Sequence, residues 1–171
     1  MMGDTQLNAA EIKIGVVGLG LMGCSITTCL LMAGHPVVAV APVSVDLTFA
    51  LKRITKHLQR SRREKLVTQA PDFYLQHLHI TESYDQLQGC ALVIECTLEN
   101  LDIKKSVYSK IEAVIDKNAL LASNTSAIPI SILQQQTTHP SRFFGLHWAE
   151  PSHTTRFLEV ICGNESDIAK G

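Results

Sequence analysis

No stretch of this 171-residue chain approaches the roughly 20 consecutive apolar residues that a membrane-spanning helix needs, so no transmembrane segment is expected. The opening residues, MMGDTQLNAAE, lack the basic stretch followed by an apolar one that marks a secretory leader, which leaves the cytoplasm as the expected compartment. No CxxC pair occurs among Cys24, Cys29, Cys90, Cys96 and Cys162, and each lies in an apolar run, where a thiol behaves as a small hydrophobe. They are read as reduced, hence intracellular. Charge of one sign is also missing: the net charge of -1 gives no global pull toward nucleic acid. Aromatic residues are only 5% of the chain, and none is interleaved with the basic residues as a single-strand binding surface requires, so no nucleic-acid partner is expected. Internal repeats and low-complexity segments are absent as well.

What is present has the balance of a globular protein, 46% apolar and 18% charged, in a length that suits one domain. Residues 12–18, IKIGVVG, form a β-branched apolar run that enters a glycine-rich turn, and LMGCSITTCLLMAGHP continues as a helix. Gly34 suits the left-handed position that closes that helix, and His35 and Pro36 prevent its continuation. VVAVA, at 37–41, reads as a second buried strand. Strand, turn, helix and strand within about thirty residues make a βαβ unit, the setting in which a GxGxxG pattern carries weight.

A long helical stretch over 46–67 follows, with Leu47, Leu51, Ile54 and Leu58 at helical spacing, and APDFYLQHL supplies a second short helix to complete a hairpin. Apolar strands are then predicted at 77–81, 91–97, 119–125 and 142–148, with helices at 102–116 and 129–136 and a last strand at 156–162. Continuous apolar strands alternating with amphipathic helices imply a sheet covered on both faces. The expected fold is α/β, a Rossmann-type doubly wound, mostly parallel sheet with a helical hairpin inserted after the second strand. A flexible N-terminus, 1–11, would precede a single dinucleotide-binding domain, 12–171.

Within GLGLMG, Gly18 permits the tight turn, Gly20 lets backbone approach a pyrophosphate, and Gly23 lets the helix pack close to the strand. Leu19, Leu21 and Met22 complete the turn, and the amides of the last two open the helix, facing phosphate with the helix dipole behind them. The second strand ends without the acid that normally accepts the adenosine ribose. Ala41 holds that position, followed by Pro42, a loss of roughly 1.5–3 kcal/mol for a charged hydrogen bond. Asp46 and Ser44 are the nearest substitutes, and Arg53 is a more distant candidate for a 2′-phosphate. The cofactor is therefore NAD, with NADP not excluded.

Downstream, LVIECTLENLDIKKSVYSKIE, LLASNTSAIPISIL, RFFGLHWAEP and FLEVICG follow in order. Together they resemble the 3-hydroxyacyl-CoA dehydrogenase family, over nearly the whole chain, as that family's N-terminal NAD-binding domain. The resemblance implies an oxidoreductase that interconverts a 3-hydroxyacyl thioester, or a related 3-hydroxy acid, with its 3-oxo form. It makes His147 the catalytic base, Glu159 the carboxylate that orients it, and Ser126 a hydrogen-bond partner of the substrate oxygen. Asn124 would stand beside the nicotinamide, and Cys96, Thr97, Leu98 and Glu99 would run along its ribose, with Lys104 one helical turn on. The residue types suit the chemistry, since histidine titrates near neutral pH and a carboxylate on Nδ1 fixes its tautomer.

Where the family carries asparagine three residues after the histidine, this chain has Glu150, counted with the catalytic group. An ionised carboxylate cannot donate a hydrogen bond and opposes negative charge on a reacting oxygen. The implied partners are a small-molecule substrate, either acyl-CoA or a simpler acid, and a helical C-terminal domain or homodimer partner. Lys52, Arg53, Lys56, Arg60, Arg62, Arg63 and Lys65 form a basic helix; the resemblance implies a hairpin near the CoA moiety, so Arg60, Arg62, Arg63 and Lys65 either meet its phosphates or belong to a solvated face. His77, His79 and His153 have no cysteine or carboxylate to complete a metal site, so no metal is expected. Two alternatives stand beside this reading: a 3-hydroxyisobutyrate-type dehydrogenase, whose GLGLMG opening is similar, and a non-catalytic nucleotide-binding or structural protein.

Overall fold

The computed structural model describes residues 8–155 and 157–169. Of the expected N-terminal segment, Ala9–Glu11 form a 3-10 turn whose first amides are capped by Asn8; residues 1–7, like Arg156, lie outside the described residues. Seven strands form one sheet in the order β3-β2-β1-β4-β5-β6-β7. They are β1 Ile14–Val17, β2 Val37–Val40, β3 Leu78–Thr81, β4 Leu92–Glu95, β5 Leu120–Ser123, β6 Phe143–Trp148 and β7 Leu158–Cys162. All neighbours pair parallel except β6 and β7, which are antiparallel. β1 and β2 are buried at every position, as a parallel sheet covered on both faces demands.

The helices are α1 Leu21–Met32, α2 Ser44–Arg63, α3 Pro71–Leu75, α4 Leu101–Glu112, α5 Ile130–Gln134 and α6 Ser152–Thr155. α1 is apolar nearly all round and buries eight residues, because it lies between the sheet and both α2 and α6. α2 buries only Ala50, Ile54, Leu58 and Ser61, one stripe at helical spacing, and leaves its basic residues outside. It starts two residues before the expected boundary and stops at Arg63, where Lys65 takes a left-handed backbone (φ 59°) and turns the chain toward α3. α2 and α3 form the helical hairpin between β2 and β3. Gly34 is left-handed at φ 97° and ends α1 as expected. No helix among the described residues is long and apolar enough to cross a membrane.

The strand order places the topological switch between β1 and β4, and ligand crevices in such sheets open there, at the carboxyl ends of the strands. β7 returns antiparallel to β6 and sets His147 directly opposite Glu159. α6 was not foreseen. It lays His153 against α1, where Ser25 Oγ lies 3.0 Å from His153 Nδ1 and accepts from the Ser152 amide at 2.9 Å. His77 and His79 border a hollow with Lys13 and Pro36, at the other end of the strands, so His153 is no third ligand beside them.

Candidate active site

A cleft of about 370 Å³ opens at the switch point, floored by Gly18 and Gly20 and walled by Leu21, Met22, Pro42, Val43, Asp46, Cys96, Thr97, Leu98, Ile103 and Val107. Gly18 has φ 98°, and a Cβ there would stand 2.8 Å from the Cys96 carbonyl, so only glycine lets the β1 turn pass the β4 turn. A Cβ on Gly23 would run into the Gly18 carbonyl. Gly20 differs: a Cβ would meet no protein atom within 4 Å. It caps the start of α1, where the amides of Leu21 and Met22 have no carbonyl within the helix to receive them. Open space over free amides at a helix start is what a pyrophosphate requires, and the residues present fit a dinucleotide.

Leu21, Met22, Cys96, Thr97 and Leu98 reach the cleft wall, but not every expected contact does. The Leu19 side chain is fully buried, and its carbonyl accepts from Arg53 Nη1 at 3.2 Å and from Cys24 Sγ at 3.1 Å. Ala41 is 1% exposed and packs in the core with Ala50 and Ile54, so it does not touch the cleft; Pro42, Val43 and Asp46 form that wall instead. Its small side chain is explained by packing under α2. Burial raises the Cys96 thiol pKa, with the neighbouring Glu95 adding to the effect.

Lys104 is likewise withdrawn from the cleft. Its ammonium is fully buried and donates to both oxygens of Glu95, at 2.9 and 3.0 Å, with Glu99 at 3.5 Å. Glu95 also accepts from the Thr97 amide and hydroxyl, each at 2.6 Å, from Ser123 Oγ at 2.7 Å and from Tyr108 at 3.1 Å. The sequence reading missed Glu95, although a carboxylate at the end of an apolar strand run, in LVIECT, carries a signal: burial of such a charge demands partners. These bonds tie the end of β4 to the turn that forms the cleft wall, to the end of β5 and to α4.

Glu99 points away from the cleft, toward the β5 turn. It accepts from the Ser126 amide at 2.7 Å and from Thr125 Oγ1 at 2.9 Å. Burial pushes its carboxyl up, but the Ser126 amide, the Thr125 hydroxyl and the Lys104 ammonium outweigh that and hold it below the usual value. Ser126 Oγ then lies 2.9 Å from His147 Nε2, and His147 Nδ1 lies 2.8 Å from Glu159 Oε2. A carboxylate accepts from Nδ1, so in the neutral imidazole the proton sits there and Nε2 presents a lone pair to the Ser126 hydroxyl. The serine's own amide is committed to Glu99 and is withheld from any reacting oxygen.

Two further residues fall outside that series. Asn124 Oδ1 accepts from the Trp148 amide at 2.9 Å, joining the ends of β5 and β6. Glu150 is exposed on the turn after β6, and its charge reaches His57 and Cys24. His57 and His153, both missed as a pair, stack at 4.4 Å. Burial, then the neighbouring His57 and Arg60, push His153 down to about 4. Beside them, Leu21, Arg53, Lys56, His57, Arg60 and Arg63 line a basic hollow of about 440 Å³.

Residues 13–169 match the family described as 3-hydroxyacyl-CoA dehydrogenase, NAD binding domain. A 3-hydroxybutyryl-CoA dehydrogenase of Bradyrhizobium diazoefficiens is 35% identical over 159 residues, 92% of this chain and 54% of the relative. A 5-formyl-3-hydroxy-2-methylpyridine 4-carboxylate 5-dehydrogenase of Mesorhizobium japonicum is 33% identical over 90% of this chain and 50% of its own length. Among solved structures, an (S)-3-hydroxybutyryl-CoA dehydrogenase from Ralstonia eutropha superposes with a TM-score of 0.87 at 29% identity, covering 92% of this chain and 56% of that one. The chain thus spans about half the length of these relatives.

Proposed function

Since this chain belongs to the 3-hydroxyacyl-CoA dehydrogenase family, as its NAD-binding domain, we propose that it serves an oxidoreductase that interconverts a 3-hydroxyacyl thioester and its 3-oxo form. One observation carries the reading beyond cofactor binding: a single turn, residues 96–100, walls the cleft with Thr97 and holds the Ser126 turn with Glu99, beside His147 and Glu159. Dinucleotide site and general base are thereby fixed to one element.

In oxidation, the hydroxyl proton of the substrate passes to Nε2 of His147, the lone pair that Ser126 meets in the free chain. Glu159, opposite in the β6–β7 pair, stabilises the imidazolium that results. Ser126 keeps hold of the substrate oxygen as its bond order changes. A dinucleotide held over Gly20 and the Leu21 and Met22 amides would supply the acceptor for the hydride that leaves the carbinol carbon. In reduction the imidazolium returns the proton. The basic hollow beside Leu21 supports a substrate that carries phosphates, as a CoA thioester does, over a simple acid. Leu158, Val160 and Ile161 on β7, with Phe157 just before it, leave an apolar edge exposed, which suits the helical C-terminal domain that the family adds.

The test uses the full-length protein with acetoacetyl-CoA and NADH, following loss of nicotinamide absorbance. His147→Gln is expected to lower kcat by about 10²–10⁴-fold, the range for a general acid–base group, while NADH affinity stays within about twofold of the parent. Equal turnover in parent and variant would remove His147 from the chemistry. NADH binding without turnover in the parent, on thioesters of several lengths, would favour a non-catalytic nucleotide-binding role.

A further inference from the structure

The cleft has one charged side chain among the described residues that line it, and that residue is Asp46. It stands in the first turn of α2, 28% exposed, in a wall otherwise formed there by Pro42 and Val43 and faced by Ile103 and Val107. An apolar slot with a single ionised acceptor at its rim suits a flat heteroaromatic base attached to a sugar with vicinal hydroxyls. The residue after β2 leaves this task open, because Ala41 is buried beneath the wall, and Ser44 does not line the cleft.

A neighbouring cation, Arg53, is already engaged. Arg53 Nη1 lies 3.8 Å from Asp46 Oδ1 and donates to the Leu19 carbonyl at 3.2 Å, with the guanidinium 5.9 Å from the centre of the Phe49 ring. This arrangement ties Arg53 to protein groups and away from a 2′-phosphate.

We propose that Asp46 is the residue that makes this chain choose NAD over NADP, a step that rests on the dinucleotide reading of the cleft. Its carboxylate accepts the adenosine ribose hydroxyls and repels a 2′-phosphate, the two halves of one selection. The acceptor has moved from the strand end to the helix that follows, five residues on, which is why Ala41 is tolerated.

The experiment titrates the chain with NADH and with NADPH, following nicotinamide fluorescence, for the parent, Asp46→Asn and Arg53→Ala. The parent is expected to bind NADH at least about tenfold tighter than NADPH. In Asp46→Asn, NADH affinity falls roughly tenfold or more while NADPH affinity holds or rises, so the ratio moves toward one. Arg53→Ala keeps the preference for NADH. Circular dichroism melts show that each variant is folded. Equal affinities in the parent, a ratio unchanged in Asp46→Asn, or a preference lost only in Arg53→Ala each overturn the proposal and leave the dinucleotide reading standing. A parent that binds neither cofactor overturns that reading, and the proposal with it.

Discussion

Replacing Lys104 by methionine separates two roles for this residue. If its ammonium contacted cofactor, the loss would be one of affinity. In the structure it is fully buried against Glu95, so Lys104→Met leaves a carboxylate with no exposed surface facing four neutral donors and no adjacent countercharge. Removing one member of a buried ion pair costs about 3–5 kcal/mol. For a chain of this size that lowers Tm by on the order of 10 °C. Glu95→Gln costs less, because Glu99, 3.5 Å from Nζ, still faces the ammonium. In the double variant Glu95→Gln with Lys104→Met, no charge is stranded and the amide still meets Thr97, Ser123 and Tyr108. The two changes together should cost less than their sum, by about 1–3 kcal/mol. Urea and thermal unfolding of the four proteins, read by circular dichroism, measure this coupling. A Lys104→Met variant within about 1 kcal/mol of the parent, with strongly weakened NADH binding, would refute the reasoning and return Lys104 to the cleft.

Stability should also fall in acid through His153. Its pKa lies at about 4 when folded and at 6.5 when unfolded, so above pH 6.5 both states are neutral there and the residue adds no pH dependence. Below that the unfolded chain takes a proton that the folded chain refuses until about pH 4. Stability is therefore lost across this window, by about 1.4 kcal/mol per unit and about 3 kcal/mol in all. His57, shifted down chiefly by burial, acts in the same direction. Urea midpoints measured across the window should show a shallower slope in His153→Gln, and an unchanged slope would count against this account. The glycines divide by where a side chain would go. Gly20→Asp, projecting into open cleft, should abolish NADH binding and leave the melt unchanged, whereas Gly23→Ala, driven into the Gly18 carbonyl, should destabilise by about 1–3 kcal/mol. Calorimetric titration and melting of both variants check the contrast.

Local chemistry was enough to read the frame of this protein. Apolar runs such as IGVV and VVAV between turn signals read as buried strands, GLGLMG as a tight turn, and Gly34 before His35 and Pro36 as a helix end, because each depends on neighbours within a few residues. The family resemblance also grouped Ser126, His147 and Glu159, and the antiparallel return of β7 sets His147 across from Glu159 in space. Tertiary packing decided the rest. Whether Lys104 faces ligand or protein depends on Glu95, nine positions away along the chain and one layer below. Whether Ala41 is a missing contact or a packing residue depends on how closely α2 lies over β2. The His57 and His153 stack joins α2 to α6 across ninety-six positions, and no spacing rule reaches that far. Periodicity and turn chemistry act along the chain. Burial, charge pairing and the lining of a cleft are properties of surfaces that meet only after folding.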